Sequence, residues 1–202
     1  SLFGIPDMDN DGIGELLIGA PNHSGVGAVF LAKSKGGNLA KLAEGTSQNS
    51  LFGQTITSGG DITGDGVIDV LVGAPNESGT GTITLLDING RQEWSVKGLG
   101  QESEFGSSIA AIMDSGRQDT DNGFIVGAPG NDGNKGAVYI VSATGRSSLF
   151  SSGESRGVRA GETVASLSGL GQASDLVYVV SQMDVGTNME HTLFSNQTEN
   201  IK

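Results

Sequence analysis

Cysteine is absent from the 202 residues, so neither disulfides nor thiolate metal sites hold this chain together. The absence is compatible with a cytosolic protein or an exported bacterial-type one, and it runs against the cysteine-stapled style of small secreted domains. Proline is limited to 4 residues and glycine follows no G-X-Y period, which excludes collagen. Aromatic residues make up only 5% of the chain and charged residues 17%. Positive charge is scarcest: 11 Lys and Arg stand against 23 Asp and Glu, for a formal net charge of −12. An acidic chain without a basic stripe argues against nucleic acid as a partner. No apolar run approaches the roughly 18 residues needed to span a bilayer. No charged-then-apolar leader opens the chain, which fits a mature or excised segment. No window of 11 or more residues carries a convincing 3.6-residue period, so helix content is expected near zero.

What the chain has in excess is glycine, 34 of 202 residues, roughly twice the usual share. The glycines keep a beat. Gly-Ala-Pro occurs at Gly19-Ala20-Pro21, Gly73-Ala74-Pro75 and Gly127-Ala128-Pro129, at a spacing of 54 residues. An apolar run precedes each copy (Leu16–Ile18, Val70–Val72, Phe124–Val126), and a second apolar stretch opening on Gly27, Gly81 or Gly136 follows. A Phe-Gly pair stands upstream at Phe3, Phe52 and Phe105. The next step of 54 lands on Ser181, after Tyr178-Val179-Val180, which marks a fourth unit with its Gly-Ala-Pro string eroded.

Within a unit, short β-branched runs separated by Gly, Asn, Asp and Ser clusters read as strands joined by turns. Unit two predicts four strands, over Phe52–Ser58, Ile68–Val72, Gly81–Asp87 and Arg91–Val96. Four strands per repeat is the pattern of a β-propeller blade, with a β-sandwich or solenoid as the competing all-β reading. The expected fold is all-β and propeller-type. About four four-stranded antiparallel blades fall near 1–50, 51–104, 105–159 and 160–202 of one repeat domain, as a closed ring or part of a larger propeller. Unit one is short of residues between Phe3 and Asp7, so its first strand is expected to be truncated or displaced.

The chemistry lies between the first and second strands. Unit one reads Asp7-Met8-Asp9-Asn10-Asp11-Gly12-Ile13-Gly14-Glu15 and unit two Asp61-Ile62-Thr63-Gly64-Asp65-Gly66-Val67-Ile68-Asp69. Both place oxygen side chains at loop positions 1, 3, 5 and 9, with Gly at 6 for the bend. The position-7 carbonyls, of Ile13 and Val67, can add a ligand. An all-oxygen set of this kind suits a hard cation with six to eight ligands, and Ca²⁺ fits better than Mg²⁺ or a soft metal. Two Ca²⁺ sites are therefore expected: Asp7, Asp9, Asp11, Ile13 and Glu15, then Asp61, Thr63, Asp65, Val67 and Asp69. Loop three, Asp114 through Asn122, has its carboxylates at the wrong spacing, and loop four, Gly169 to Ala173, has none, so no comparable site is expected in either. An EF-hand is excluded because its twelfth position would fall on Ile18 or Val72, inside a strand.

Phe-Gly, then the acidic loop, then apolar-Gly-Ala-Pro, then Gly-x-Val-Tyr as in Gly136–Tyr139, resembles the FG-GAP repeat of integrin α-subunit propellers and many bacterial surface proteins. The match runs strongly through units one to three and weakly after about Arg159. The resemblance implies propeller blades, commonly seven, with Ca²⁺ in hairpin loops on one face. About four units rather than seven implies a fragment, a reduced propeller, or a part that associates with a second copy or with further blades. It also implies an extracellular or cell-surface adhesion module whose protein or carbohydrate ligand meets the face opposite the acidic loops. On that face Arg156 and Arg159 are candidates for contacting an acidic group, against the plainer reading that they solvate a loop. The alternatives are a structural spacer of a larger surface protein and a hydrolase. Gly153-Glu154-Ser155-Arg156-Gly157 does match G-x-S-x-G, but that motif needs a strand-to-helix elbow, a histidine and an acid. No helix is expected here, so a non-enzyme is the reading.

Overall fold

The computed structural model describes residues 1–33, 39–112, 123–168, 176–183 and 189–195. Its strands form four antiparallel sheets, each built from strands consecutive in sequence. The first holds β1 (Leu2–Gly4), β2 (Leu16–Ala20), β3 (Ala28–Ala32) and β4 (Leu39–Glu44). The second holds β5 (Thr55–Gly60), β6 (Asp69–Ala74), β7 (Thr82–Asp87) and β8 (Gln92–Lys97). The third holds β9 (Ser108–Ile112), β10 (Gly123–Ala128), β11 (Ala137–Ser142) and β12 (Ser147–Ser152). In the fourth, β13 (Val164–Ser168), β14 (Leu176–Met183) and β15 (Met189–Ser195) make three strands among the described residues, against the four expected. Among the described residues helix is confined to single turns, the longest Asn131–Asn134 with left-handed residues inside it. The strands of unit two sit one to three residues later than their sequence patterns at the start, because the Phe52-Gly53 pair is used to join sheets rather than to extend one. β1 is only three residues long, the truncation foreseen from the short first unit.

The sheets stand in chain order, β1 against β5, β5 against β9 and β9 against β13, an arc of propeller-type blades not closed into a ring. A blade between two neighbours buries both faces. So β6, β7 and β10 are buried at every residue, polar Asp69, Thr82, Thr84 and Asp87 included, whereas the outer β4 and β12 are largely exposed.

The Phe-Gly and Gly-Ala-Pro strings form one joint. A hydroxyl at the start of each of the first three blades donates to the carbonyl of the Phe-Gly glycine, or its counterpart, in the next: Ser1 to Gly53 (2.9 Å), Thr55 to Gly106 (2.7 Å) and Ser108 to Gly161 (2.7 Å). A Cβ on the Gly-Ala-Pro glycine would stand 2.0, 2.2 or 1.9 Å from those same carbonyls, at Gly19, Gly73 and Gly127. Glycine is required there by close approach, not by backbone angle. Gly73→Ala is expected to force blades two and three apart at a cost of about 1–3 kcal/mol or more, read as a lower urea midpoint.

The interior is a set of layers between blades. Between blades two and three, Phe124 is fully buried, Trp94 meets it edge-on at 6.4 Å, and Phe105 meets Tyr139 at 5.4 Å. The Trp94 indole N–H donates to the Ala143 carbonyl (2.9 Å), so this ring joins two blades. Burial pushes the Tyr139 phenol above its ordinary value of 10.0. A proton held more tightly in the folded state adds stability that is complete below pH 10 and lost as pH rises through the raised value. Tyr139→Phe is therefore expected to hold its melting temperature further into the alkaline range than the parent protein.

Candidate functional site

The acidic loops join β1 to β2 and β5 to β6, so the hairpin geometry brings both to the same end of their blades. Loops three and four fall outside the described residues.

The two described loops share one hydrogen-bond framework. The position-1 carboxylate accepts the amides of positions 5 and 6: Asp7 from Asp11 (3.2 Å) and Gly12 (2.7 Å), Asp61 from Asp65 (3.0 Å) and Gly66 (2.7 Å). The position-5 carboxylate accepts the amide of position 7: Asp11 from Ile13 and Asp65 from Val67, both at 2.9 Å. The position-9 carboxylate reaches back to position 2: Glu15 accepts from Met8 (2.8 Å), and Asp69 from Ile62 (2.7 Å) and Thr63 (2.8 Å). Gly12 and Gly66 have φ of +91° and +84°, the left-handed turn that the sixth position needs.

These bonds leave one oxygen over at the same place in each loop. Glu15 and Asp69 are 3% and 0% exposed, and Glu15 Oε1 and Asp69 Oδ1 are buried without a hydrogen-bond partner. A buried carboxylate oxygen left so carries a desolvation cost of the kind a cation relieves. Burial pushes the Asp69 carboxyl above the ordinary carboxylate range, against the lowering pull of the Thr63 and Ile62 amides.

The loops differ in what converges. Carboxylate oxygens of Asp7, Asp9 and Glu15 lie within 4.8 Å of one another; Asp11 stands outside that group. In loop two the position-5 side chain is engaged elsewhere. Asp65 Oδ2 pairs with Arg91 (3.1 Å), from the β7–β8 turn, and the same guanidinium reaches Glu93 (2.6 Å) and Asp87 (3.3 Å). Arg91 lies 26 residues from Asp65, beyond the reach of any local motif.

At the opposite end, the turns after Gly-Ala-Pro bond to the linkers between blades, as in Asn49 to Gly25, Glu102 to Gly79 and Gly157 to Asn134. Arg159 is spent on this stitching: it binds Glu162 (2.6 Å), Glu104 (2.7 Å) and Asn134 (3.1 Å). Arg156 is exposed, its guanidinium over Gly133. Ser155 lies in an exposed bend after β12, not in a strand-to-helix elbow, and His23 packs edge-on against Phe30 in blade one.

Among the described residues no helix is long and apolar enough to cross a membrane. Residues 52–86 match the FG-GAP repeat family model. The chain is 38% identical over 139 residues to human integrin alpha-11, covering 61% of this chain and 11% of that protein. It is 32% identical over 143 residues to human integrin alpha-X, covering 64% and 12%. It is 32% identical over 127 residues to integrin alpha-4 of Xenopus laevis, covering 54% and 12%. The chain thus spans little more than a tenth of the length of these relatives. Among solved structures, an endo-arabinase from Bacteroides thetaiotaomicron aligns at TM-score 0.47 and 14% identity, over 94% of this chain and 72% of that one. With its Phe-Gly and Gly-Ala-Pro strings at the blade joint and its acidic loop in the hairpin, the segment 52–86 is an FG-GAP repeat.

Proposed function

We propose that this chain is a non-catalytic, extracellular adhesion module stabilised by two Ca²⁺ ions, with a protein ligand meeting the face opposite the acidic loops. The observation that carries the metal reading is the buried, partnerless oxygen at position 9 of both loops, joined in loop one by the carboxylates of Asp7 and Asp9. Loop one would hold its ion with Asp7, Asp9, Asp11, Glu15 and the Ile13 carbonyl; loop two with Asp61, Thr63, Asp65, Asp69 and the Val67 carbonyl. The donor set is all oxygen, which fits Ca²⁺, and the bound ion supplies the positive charge these carboxylates lack. Loop one is the tighter site, because three of its carboxylates already converge while Asp65 is held by Arg91. The adhesion reading rests on the similarity to integrin α subunits. The non-catalytic reading rests on the placement of Ser155, away from any elbow and in a different blade from His23.

Calorimetric titration with Ca²⁺ is expected to show two ions bound, one of them lost in Asp9→Ala and the other in Asp61→Ala. Cells are expected to attach to a surface coated with the protein in Ca²⁺ and to detach in chelator. No heat of binding at millimolar Ca²⁺ overturns the metal reading, and attachment no better than to a bare surface overturns the adhesion reading.

A further inference from the structure

The joint between blades one and two repeats the joint between blades two and three with its large side chains removed. Where Phe124 and Tyr139 pack in the second joint, Val70 and Thr84 stand in the first, one repeat earlier, and the small Ala137 is matched by the hydroxyl-bearing Thr82. The turn glycine Gly145 faces the Trp94 ring; its counterpart Gly90 faces Leu42. The apolar framework is otherwise kept, Phe52 for Phe105, Val72 for Val126 and Ala74 for Ala128. The lost volume is an open cleft of about 370 Å³ along the outer half of the joint, within the size range of small-ligand sites.

Its lining is chemically particular. Thr82 is 5% exposed, and its hydroxyl is buried without a hydrogen-bond partner. The Thr84 and Ser95 hydroxyls lie 3.4 Å apart, and Gln92 adds an amide. Both acids at the rim are already engaged, Glu44 with Lys41 and Glu77 with the hydroxyls of Thr46 and Ser47. Lys97 also stands at the rim, and inside it the cleft offers hydroxyl and amide donors and acceptors against an apolar wall of Leu86, Ala74 and Phe52. A pyranose ring, hydroxylated at its edges and apolar on its C–H faces, has the complementary chemistry. Replacing two aromatic rings by Val and Thr gives up packing at this joint relative to the next, a loss that a polyol seated in the cleft would offset.

We infer that the cleft between blades one and two is a binding site for a neutral sugar residue of a glycan. The site is separate from the acidic loops, and its lining contains none of the proposed Ca²⁺ ligands.

The test is saturation-transfer NMR on the whole chain in constant Ca²⁺, using methyl glycosides of glucose, galactose, mannose and N-acetylglucosamine and the corresponding disaccharides. At least one is expected to receive saturation at millimolar concentration, with disaccharide over monosaccharide preference marking a glycan rather than a free sugar. The variant Thr82→Ala/Thr84→Tyr refills the cleft with the residues of the next joint; it is expected to melt at or above the parent temperature and to bind the responding sugar roughly tenfold more weakly or worse. Gln92→Ala, a rim change that leaves the interior untouched, is expected to weaken binding without moving the melt. Failure of every saccharide to receive saturation, or equal transfer to the refilled variant, overturns the proposal. Either result leaves the Ca²⁺ titration unaffected.

Discussion

Excess chelator is expected to lower the melting temperature of this protein by about 10–20 °C. An ion that binds only the folded state stabilises it by mass action, about 2.7 kcal/mol at one hundred times its Kd, and two such ions move a chain of this size by about 2–4 °C per kcal/mol. Calorimetric melts in Ca²⁺ and in chelator check the shift, and equal melts would refute the assignment of both loops. Asp69→Asn separates charge from shape. The Asp69 carboxyl is pushed upward by burial, so in the ion-free protein its ionised form costs stability at neutral pH. Asparagine keeps an oxygen for the Ile62 and Thr63 amides and removes that charge. The variant is expected to melt at or above the parent in chelator and to gain less from Ca²⁺, a crossing of the two curves that a purely structural role for Asp69 does not produce.

The second large effect is at the joint between blades two and three. Phe124 is fully buried, against Trp94, in a layer that also holds Phe105 and Tyr139. Phe124→Ala is expected to cost about 3–5 kcal/mol, since the surrounding strands are paired on both sides and cannot collapse into the void. Val70→Ala, at the corresponding place in the first joint, deletes less volume and is expected to cost about 1–2 kcal/mol. Urea unfolding of the two variants compares them directly; equal losses would contradict the difference in packing between the joints.

Much of this architecture is local and was legible in the residues. The repeat of 54, the strands of each unit and the short β1 follow from β-branched runs and glycine turns that act over a few residues. The acidic loops were legible for the same reason. The amide-to-carboxylate hydrogen bonds that curl them join residues at most seven apart, so the spacing of Asp, Gly and Glu already contains the turn of the loop. Strand starts in unit two were placed early because a Phe-Gly pair resembles the opening of a strand, whereas Phe52 bridges to Gly27 of the preceding blade.

Three features required the packed chain. Arg91 reaches Asp65 across 26 residues and divides the two loops into unlike sites. Arg159, a free cation by its loop sequence, is consumed by three partners from neighbouring linkers. The cleft at the first joint depends on which side chains of two separate sheets face one another, as Trp94 meets Ala143 at the second. Hydrophobic periodicity says that a strand face is buried, but not how much volume the opposing blade brings to it. Blades and loops are therefore properties of the residues in order, while the joints between blades, and any site they hold, are properties of contacts about fifty residues apart in the chain.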